Sequence, residues 1–372
     1  MSEHDRIAGR LLLRPGSERP IECERPMVGT AMMRRLTEGR RASLLPDLMA
    51  AAFTLCASTQ RDTSRRAVRA ALGQVADESE RSRDLLALRL FTARDHLQRL
   101  ALDQPQRMPA GAVDPSWVRD APVLALPQRP EALGLAQMRD AASALPGWLE
   151  RRLFGVGAAV WLQRWNDSPE AWLSEWSAAQ SHPLARWLCA VRETALAVEL
   201  PYRPLALLEA GENSLRGLAV QMSNDQDFAE HPTWSGAPAE TGPWTRRGRC
   251  LPPSAGLSLW HRLGSRLADL AHIALGGDLA LGELSLAGGE GLAWSEMSRG
   301  LLIHWLRLEP GPQQADTARA AIYRVLAPTE WNFHPQGSLA EALHAGRLDP
   351  AQAALAVTAL DPCVEFVVQG DA

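Results

Sequence analysis

A long amphipathic segment, residues 79–102, constrains the fold more than any other part of the sequence. Its leucines recur at helical spacing, at Leu85, Leu86, Leu90, Leu97 and Leu100. A helix with such a stripe is stable only when a neighbouring apolar surface covers it. The chain has 372 residues, of which 46% are hydrophobic, so it has enough apolar mass to form that core.

Further segments with helical patterns flank a proline-rich stretch. Residues 27–102 predict a helical core, in which the apolar segment 44–58 forms a buried helix with Cys56 near its end. Residues 103–130 contain six prolines and predict a long connection. Helical character returns over 131–296, with a polar, Gly-, Pro- and Trp-containing loop at 223–256.

Strand patterns appear only near the two ends of the chain. Residues 1–26 predict a β-hairpin, because the runs 6–13 and 20–24 flank Pro15-Gly16-Ser17. Residues 297–372 predict a second hairpin, from the runs 299–308 and 320–326, followed by helices that lead to Cys363. The sequence therefore predicts a single α+β domain that is mostly α.

Charge and cysteine usage exclude several classes of protein. The net charge is -4, with no basic stripe of the kind that marks a nucleic-acid interface. No apolar run reaches the length of a membrane span, and the acidic opening is not a secretory signal. An odd number of cysteines without a C-x-x-C pair argues against a disulfide framework and a structural zinc site. We therefore expect a cytoplasmic protein that binds neither nucleic acid nor membrane.

The residues alone do not separate functional from structural cysteines. A lone cysteine is usually a small buried hydrophobe, and Cys23 and Cys189 are predicted to be core residues on this ground. Cys250 lies in the Trp-containing loop and has no chemistry that its neighbours indicate. Cys56 and Cys363 lie far apart in the sequence, so spacing alone cannot bring them together.

Five segments, spread over the whole chain, resemble motifs of [NiFe]-hydrogenase large subunits in the order of that family. The family motifs are R-x-E-G-H-L, R-x-C-G-x-C, P-R-G-x-x-x-H-W, V-P-[ST]-T-W-N and D-P-C-x-x-C-x-x-H. The resemblance implies a large-subunit-like helical core between the two hairpins. The matching segments here are Arg6-Ile7-Ala8-Gly9-Arg10-Leu11, Leu55-Cys56-Ala57-Ser58-Thr59, Arg299-Gly300-Leu301-Leu302-Ile303-His304-Trp305, Ala327-Pro328-Thr329-Glu330-Trp331-Asn332 and Asp361-Pro362-Cys363.

The chain departs from the family at the positions that carry its chemistry. The second cysteine of each C-x-x-C pair, the histidine after each pair and the glutamate of the opening motif are all missing. The residues at those positions are Thr59, Phe366, Thr63, Gln369 and Ala8. This pattern is similar to that of HupK/HoxV-type hydrogenase maturation proteins, which resemble truncated large subunits. Ala372 falls about where the family's maturation protease would cut, so we expect no C-terminal processing.

The resemblance implies a particular cargo. In the large subunit four thiolates hold nickel, and nickel at such a site depends on soft sulfur donors. With two of the four remaining, no nickel and no hydrogenase activity are expected. The Fe(CN)2CO group of the cofactor brings its own strong ligands, so Cys56 and Cys363 could hold its iron if both ionise. A transient Fe(CN)2CO group is thus the implied cofactor.

Two further residues fall on family positions that lie against the cyanides. Arg299 offers charge-assisted N–H donors and Thr329 a hydroxyl. Judged without the resemblance, Arg299 would be a solvated charge and Thr329 a turn residue. His304 is expected to be a hydrogen-bonded strand residue rather than a ligand.

Three functions remain open at this level. The first is a scaffold or carrier for Fe(CN)2CO during large-subunit maturation, with HypC/HypD-type maturation proteins and the apo large subunit as partners. The second is a metal-free mimic of the large subunit that binds maturation chaperones. The third is a divergent active hydrogenase, which the missing thiolates disfavour.

Overall fold

The computed structural model describes residues 9–24, 29–104, 115–127, 133–247, 256–311 and 314–369. The described helices are α1 Thr30–Thr37, α2 Leu45–Ala52, α3 Ala57–Ala71, α4 Glu78–Gln98, α5 Leu135–Leu149, α6 Ala158–Asp167, α7 Pro169–Ala179, α8 Pro183–Ala197, α9 Glu212–Asn224, α10 Pro243–Arg247, α11 Leu259–Ala274, α12 Pro328–Asn332, α13 Ser338–His344 and α14 Pro350–Leu360. The strands are β1 Arg10–Leu13, β2 Ile21–Glu24, β3 Glu199–Pro201, β4 Gly256–Ser258, β5 Leu281–Leu286, β6 Glu290–Met297, β7 Gly300–Leu308, β8 Ala320–Leu326 and β9 Glu365–Val368. The predicted α+β class, mostly α, is confirmed.

The hydrophobic core has two parts. One surrounds α11, whose residues are nearly all buried, and contains tryptophans from α6, α7 and α8. Gly264 of α11 allows close helix packing, because a Cβ there would lie 2.3 Å from the Trp165 ring. The second part lies between the largest sheet and α2 and α3, and it includes Cys56. Among the described residues that resemble hydrogenase motifs, Leu11 belongs to the first part, and Cys56, Trp305 and Trp331 belong to the second.

The largest sheet is antiparallel, with strand order β5-β6-β7-β8. Helix α3 lies across it, and Gly291 of β6 permits the contact, since a Cβ there would lie 2.2 Å from the Ala67 carbonyl oxygen. The predicted hairpin 299–308/320–326 is confirmed as β7 and β8. The prediction that 131–296 is helical apart from its loop was wrong, because β3, β4, β5 and β6 fall in that range. The sharp turn between β5 and β6 contains Gly288 and Gly289, whose φ angles are 73° and 75°. Two adjacent glycines are typical of such a hairpin turn.

The N-terminal hairpin is also confirmed, with Leu11 of β1 opposite Cys23 of β2. It gains a third strand that the sequence did not predict: β9 pairs parallel to β1, with Leu11 opposite Phe366. Parallel pairing needs a long crossover, and here nearly the whole chain forms it. The segment that follows Cys363 is therefore anchored to the start of the described chain.

The predicted helix 44–58 is interrupted. Helix α2 ends at Ala52, a 3-10 turn covers Thr54–Cys56, and α3 starts at Ala57 at 106° to the preceding helix. Cys56 therefore occupies the N-cap of α3 instead of the end of a buried helix. The hydrophobic pattern continues through the bend because both helices bury their apolar residues in the same core, so periodicity could not reveal the change of direction.

Several sequence predictions fall wholly or partly outside the described residues. Of the proline-rich connection, 115–127 is described and consists of the 3-10 turn Pro115–Trp117 and further turns. Cys250 and Ala8 lie outside the described residues. Among the described residues, no single helix has both the length and the apolarity to cross a membrane, and only the bent pair Ala42–Ala52 and Thr54–Ala71 meets that test jointly.

Candidate functional site

Cys56 and Cys363 come together in the fold although they stand at opposite ends of the sequence. Cys56 is 5% exposed at the N-cap of α3, and Cys363 is half-buried just after α14. Burial raises the pKa of the Cys56 thiol to about 12; the nearby Cys363 adds to the rise and Arg299 opposes it. Cys363 and Arg299 thus both lie within electrostatic reach of Cys56. Without a bound cation, Cys56 is a neutral thiol at pH 7.

Thr329 contacts Cys363 directly. Its Oγ1 lies 3.1 Å from the Cys363 Sγ, and the Cys363 backbone N–H donates to the same oxygen over 3.2 Å. Thr329 is buried in the first turn of α12, where Pro328 starts the helix. The residues alone predict a turn at Thr329, but the structure has a short helix there. This helix holds the Thr329 hydroxyl against the Cys363 thiol.

Arg299 is a buried cation whose donors are not all used. It is 2% exposed, in the turn between β6 and β7. Its Nε lies 3.4 Å from Asp361 and its Nη1 3.8 Å from Asp95, and neither nitrogen forms a hydrogen bond within the described residues. Two buried N–H donors without acceptors carry a large desolvation penalty. This orphaned pair fits an anionic acceptor next to Cys56.

Asp361 is shared between Arg299 and two other arginines, whose nitrogens lie closer to its oxygens. Arg99 Nε donates to Asp361 over 2.8 Å and Arg266 Nη1 over 2.6 Å. These cations hold the pKa of the Asp361 carboxyl well below its usual range despite burial. The same arginines bind the Pro362 and Ala359 carbonyl oxygens. They therefore fix the backbone that leads to Cys363.

Asp95 was not identified from the sequence. It lines a cavity of about 200 Å³ together with Cys56, Phe91, Arg94 and Gln98. Burial raises the pKa of the Asp95 carboxyl to about 6, against the opposing effect of Arg299. Asp95 is one of four acidic residues on the long amphipathic helix α4, and no local signal separates it from a surface charge.

Arg266 was also missed, although a signal existed. Arg262, Arg266 and Asp269 recur at i, i+4 and i+7 on α11, and all three are fully buried. Leucines lie next to them, at positions 263, 267 and 270, although His261 and Ser265 are polar. Charged residues interspersed with leucines along a helix indicate internal ion pairs.

The turn that carries Arg299 is docked on Thr241. The Leu301 N–H donates to Thr241 Oγ1 over 2.9 Å. The side-chain amide of Asn332 accepts from the Thr241 backbone N–H and donates to the Thr241 carbonyl oxygen. Gly300 has φ +131°, and a Cβ there would lie 2.8 Å from the Thr241 carbonyl group. The position therefore demands glycine for both its conformation and its space.

We expect Gly300→Ala to lower the free energy of unfolding by about 1–3 kcal/mol, the usual cost of a residue held in a sparsely populated backbone region. Urea unfolding followed by circular dichroism measures this. Gly311→Ala is the matched control, because Gly311 has φ +151° but a Cβ there meets nothing within 4 Å. Equal losses in the two variants would show that the approach to Thr241 contributes nothing.

The residues at the positions of the missing cysteines and histidines of the hydrogenase motifs make structural contacts. Thr63 Oγ1 bonds to the Thr59 carbonyl oxygen over 2.8 Å and lies 2.7 Å from Ser295 Oγ. Phe366 is in β9 and packs on the helical core. Gln369 accepts a hydrogen bond from Arg14 Nε over 2.9 Å. None of these side chains offers a soft donor.

The remaining cysteines are not where the sequence predicted. Cys23 and Cys189 are exposed, so the prediction that both are core residues was wrong. The strand β2 is the edge of its sheet, and Cys189 lies on the outer face of α8. The sequence neighbours of Cys23 and Cys189 are partly apolar, but only tertiary packing decides which face of the strand or helix is buried. Neither lies near the candidate site.

A conventional metal site is not built into the described part of the chain. Within residues 9–24, 29–104, 115–127, 133–247, 256–311 and 314–369, no group of three or more His, Cys, Asp or Glu side chains could hold a metal ion. His304 is engaged as expected, with Gln60 at 2.8 Å from Nε2 and Tyr323 at 2.7 Å from Nδ1. What the site offers is two thiols, one hydroxyl and a partly unsatisfied guanidinium.

The fold and the order of these residues define a protein of the [NiFe]-hydrogenase large-subunit type. A solved Ni-Fe-Se hydrogenase from D. vulgaris Hildenborough superposes with a TM-score of 0.53 over 88% of this chain and 90% of that one, at 14% identity. No family model matches the chain. Hydrogenase expression/formation protein HoxV of Cupriavidus necator is 36% identical over 98% of this chain and 96% of its own length. HupK of Rhizobium leguminosarum bv. viciae is 29% identical over 90% and 88%. The chain belongs to this HoxV/HupK family of hydrogenase expression/formation proteins.

Proposed function

We propose that this protein is a hydrogenase maturation factor that carries the Fe(CN)2CO group to the apo large subunit, and that it does not turn over hydrogen. Cys56 and Cys363 would supply thiolates to the iron. Arg299 and Thr329 would donate hydrogen bonds to the cyanide ligands. The names of the similar proteins support the maturation role, and the geometry of the site supports the cargo.

The single observation that carries the proposal is the buried guanidinium of Arg299, which lies within electrostatic reach of Cys56 and has unused hydrogen-bond donors. Its Nε and Nη1 form ion pairs with Asp361 and Asp95 but no hydrogen bond within the described residues, so both N–H groups are free to donate to a bound acceptor. The nitrogen end of a bound cyanide is an anionic acceptor of suitable size. A charge-assisted hydrogen bond there would offset the desolvation of both groups.

The small number of protein ligands supports the same cargo. A bare divalent ion at a site with two thiols would lack donors, since no third His, Cys, Asp or Glu of the described residues completes a set. An iron that already carries two cyanides and a carbonyl needs only the two thiolates. The raised pKa of Cys56 means that the thiol must lose its proton as the iron binds.

Nickel should be absent from the purified protein, and hydrogen uptake and evolution should be undetectable. The physical reason is the loss of two of the four soft donors, since Thr59 and Phe366 stand at those positions. Metal analysis together with hydrogen-dependent dye reduction checks this. About one nickel per chain with hydrogen-dependent reduction would instead support a divergent hydrogenase.

The direct test of the proposal is iron analysis and infrared spectroscopy of protein purified anaerobically from cells that also produce the HypC/HypD-type maturation proteins. We expect iron together with cyanide and carbonyl stretching bands. Iron-free protein that still co-purifies with maturation chaperones would overturn the carrier role in favour of a metal-free mimic of the large subunit.

A further inference from the structure

The side of Cys56 that faces the protein interior contacts a buried glutamine. Gln60, one helical turn further along α3, donates from Nε2 to the Cys56 Sγ over 3.6 Å and is 1% exposed. A sulfur atom accepts such bonds at longer distance than oxygen does.

A chain of buried polar groups orients the amide of Gln60. Its Oε1 lies 2.8 Å from His304 Nε2, whose other nitrogen lies 2.7 Å from the Tyr323 hydroxyl, and that hydroxyl lies 2.7 Å from Ser64 Oγ. Burial lowers the pKa of His304 to about 3, so the ring is neutral and one nitrogen carries the proton. The Oε1 atom of Gln60 faces this ring, and its Nε2 atom faces the sulfur.

We infer that Gln60, held by His304 and Tyr323, is a positioning residue that weakens Cys56 as an iron ligand so that the cargo can be released. A hydrogen bond to a ligating sulfur withdraws electron density from it and reduces its donation to the metal. It also occupies one lone-pair direction on the protein side and leaves the others for the cavity. The inference rests on the proposed carrier function, for which a ligand that holds too strongly would be a defect.

Replacing Gln60 by methionine keeps the length of the side chain and removes the N–H donor. In cargo-loaded protein we expect the cyanide and carbonyl bands to move to lower wavenumber, because a more electron-rich iron donates more into its ligands. We also expect the half-life of the bound bands during dialysis to lengthen about fivefold, which corresponds to a net hydrogen bond of about 1 kcal/mol. Tyr323→Phe should shift the bands in the same direction by less.

Gln104→Met is the matched control. Gln104 is equally buried and donates to the Thr358 carbonyl oxygen over 3.3 Å, away from Cys56. Both variants lose a buried amide, so both are expected to be less stable, but only Gln60→Met should move the bands. Equal band positions and equal half-lives in wild-type and Gln60→Met protein would overturn the inference.

A second measurement, on metal-free protein, tests the role of Gln60 independently of the proposed carrier function. The S–H stretching band of Cys56, assigned by its loss in Cys56→Ser, should shift in Gln60→Met and stay in place in Gln104→Met. An unshifted S–H band overturns the inference whatever the cargo. Wild-type protein without cyanide and carbonyl bands overturns the proposed function instead.

Discussion

Cys56→Ser and Cys363→Ser are each expected to remove most of the cyanide and carbonyl infrared signal of the loaded protein, and each should impair hydrogenase maturation in cells. Thiolate sulfur is the metal ligand in such sites, and serine is a nearly isosteric but much harder donor with a far higher pKa. Cys56 interacts electrostatically with Cys363 and Arg299, and Thr329 contacts Cys363; the site has no other thiol among the described residues that could replace either cysteine.

Cys23→Ser and Cys189→Ser are the controls for this prediction. Both residues are exposed, so a hydroxyl at either position is solvated and the stability should change by less than about 0.5 kcal/mol. The cargo signal should remain. Full cargo load in both Cys56→Ser and Cys363→Ser would contradict the carrier function and favour the metal-free mimic. Loss in only one variant would mean that a single thiolate holds the iron, with the other thiol acting in handover.

Arg299→Leu is expected to weaken retention of the cargo by about 10- to 150-fold, the factor for one charge-assisted hydrogen bond of about 1.5–3 kcal/mol. The fold should survive, because Asp361 keeps its two stronger partners, Arg99 and Arg266. Asp95 would lose a cation, and its already raised pKa should rise further. Iron content and the positions of the cyanide bands measure the effect, when wild-type and variant samples contain the same concentration of folded protein.

Two variants sharpen the result for Arg299. Arg299→Lys keeps the charge but loses the planar fork of donors, so partial retention is expected. Arg262→Leu removes another fully buried arginine, which is paired with Glu240 at 3.0 Å outside the site. It should lower stability without changing cargo retention per folded molecule. Unchanged iron content and unchanged cyanide bands in Arg299→Leu would remove Arg299 from the site.

The sequence allowed the fold class to be predicted from local pattern, and short motifs singled out four positions for the proposed site. The apolar stripe of 79–102 became α4, and the two hairpins formed from alternating runs. Cys56, Cys363, Arg299 and Thr329 were identified by resemblance and do lie together. The local sequence pattern could not predict the burial of Arg299, because an arginine at the start of a strand is normally solvated.

Long-range packing decided the remaining features. The third strand β9, the 106° bend before Cys56 and the outward placement of Cys189 all follow from which surfaces meet, and side-chain periodicity carries no such information. Asp95 and Gln60 escaped notice for the same reason. Each is a polar residue on a helix with no distinguishing pattern around it, and only the folded chain brings it close to the Cys56 thiol.

By itself, the sequence determined which chemical groups are available: two cysteines at motif positions, an arginine, a threonine, and no soft donors at Thr59 or Phe366. The tertiary structure alone decided their state. Burial in the second core region keeps the Cys56 thiol neutral, and two buried donors of Arg299 have no hydrogen bond within the described residues. The physical reason is that desolvation and charge pairing depend on neighbours that are distant in sequence, and only the folded chain brings those neighbours together.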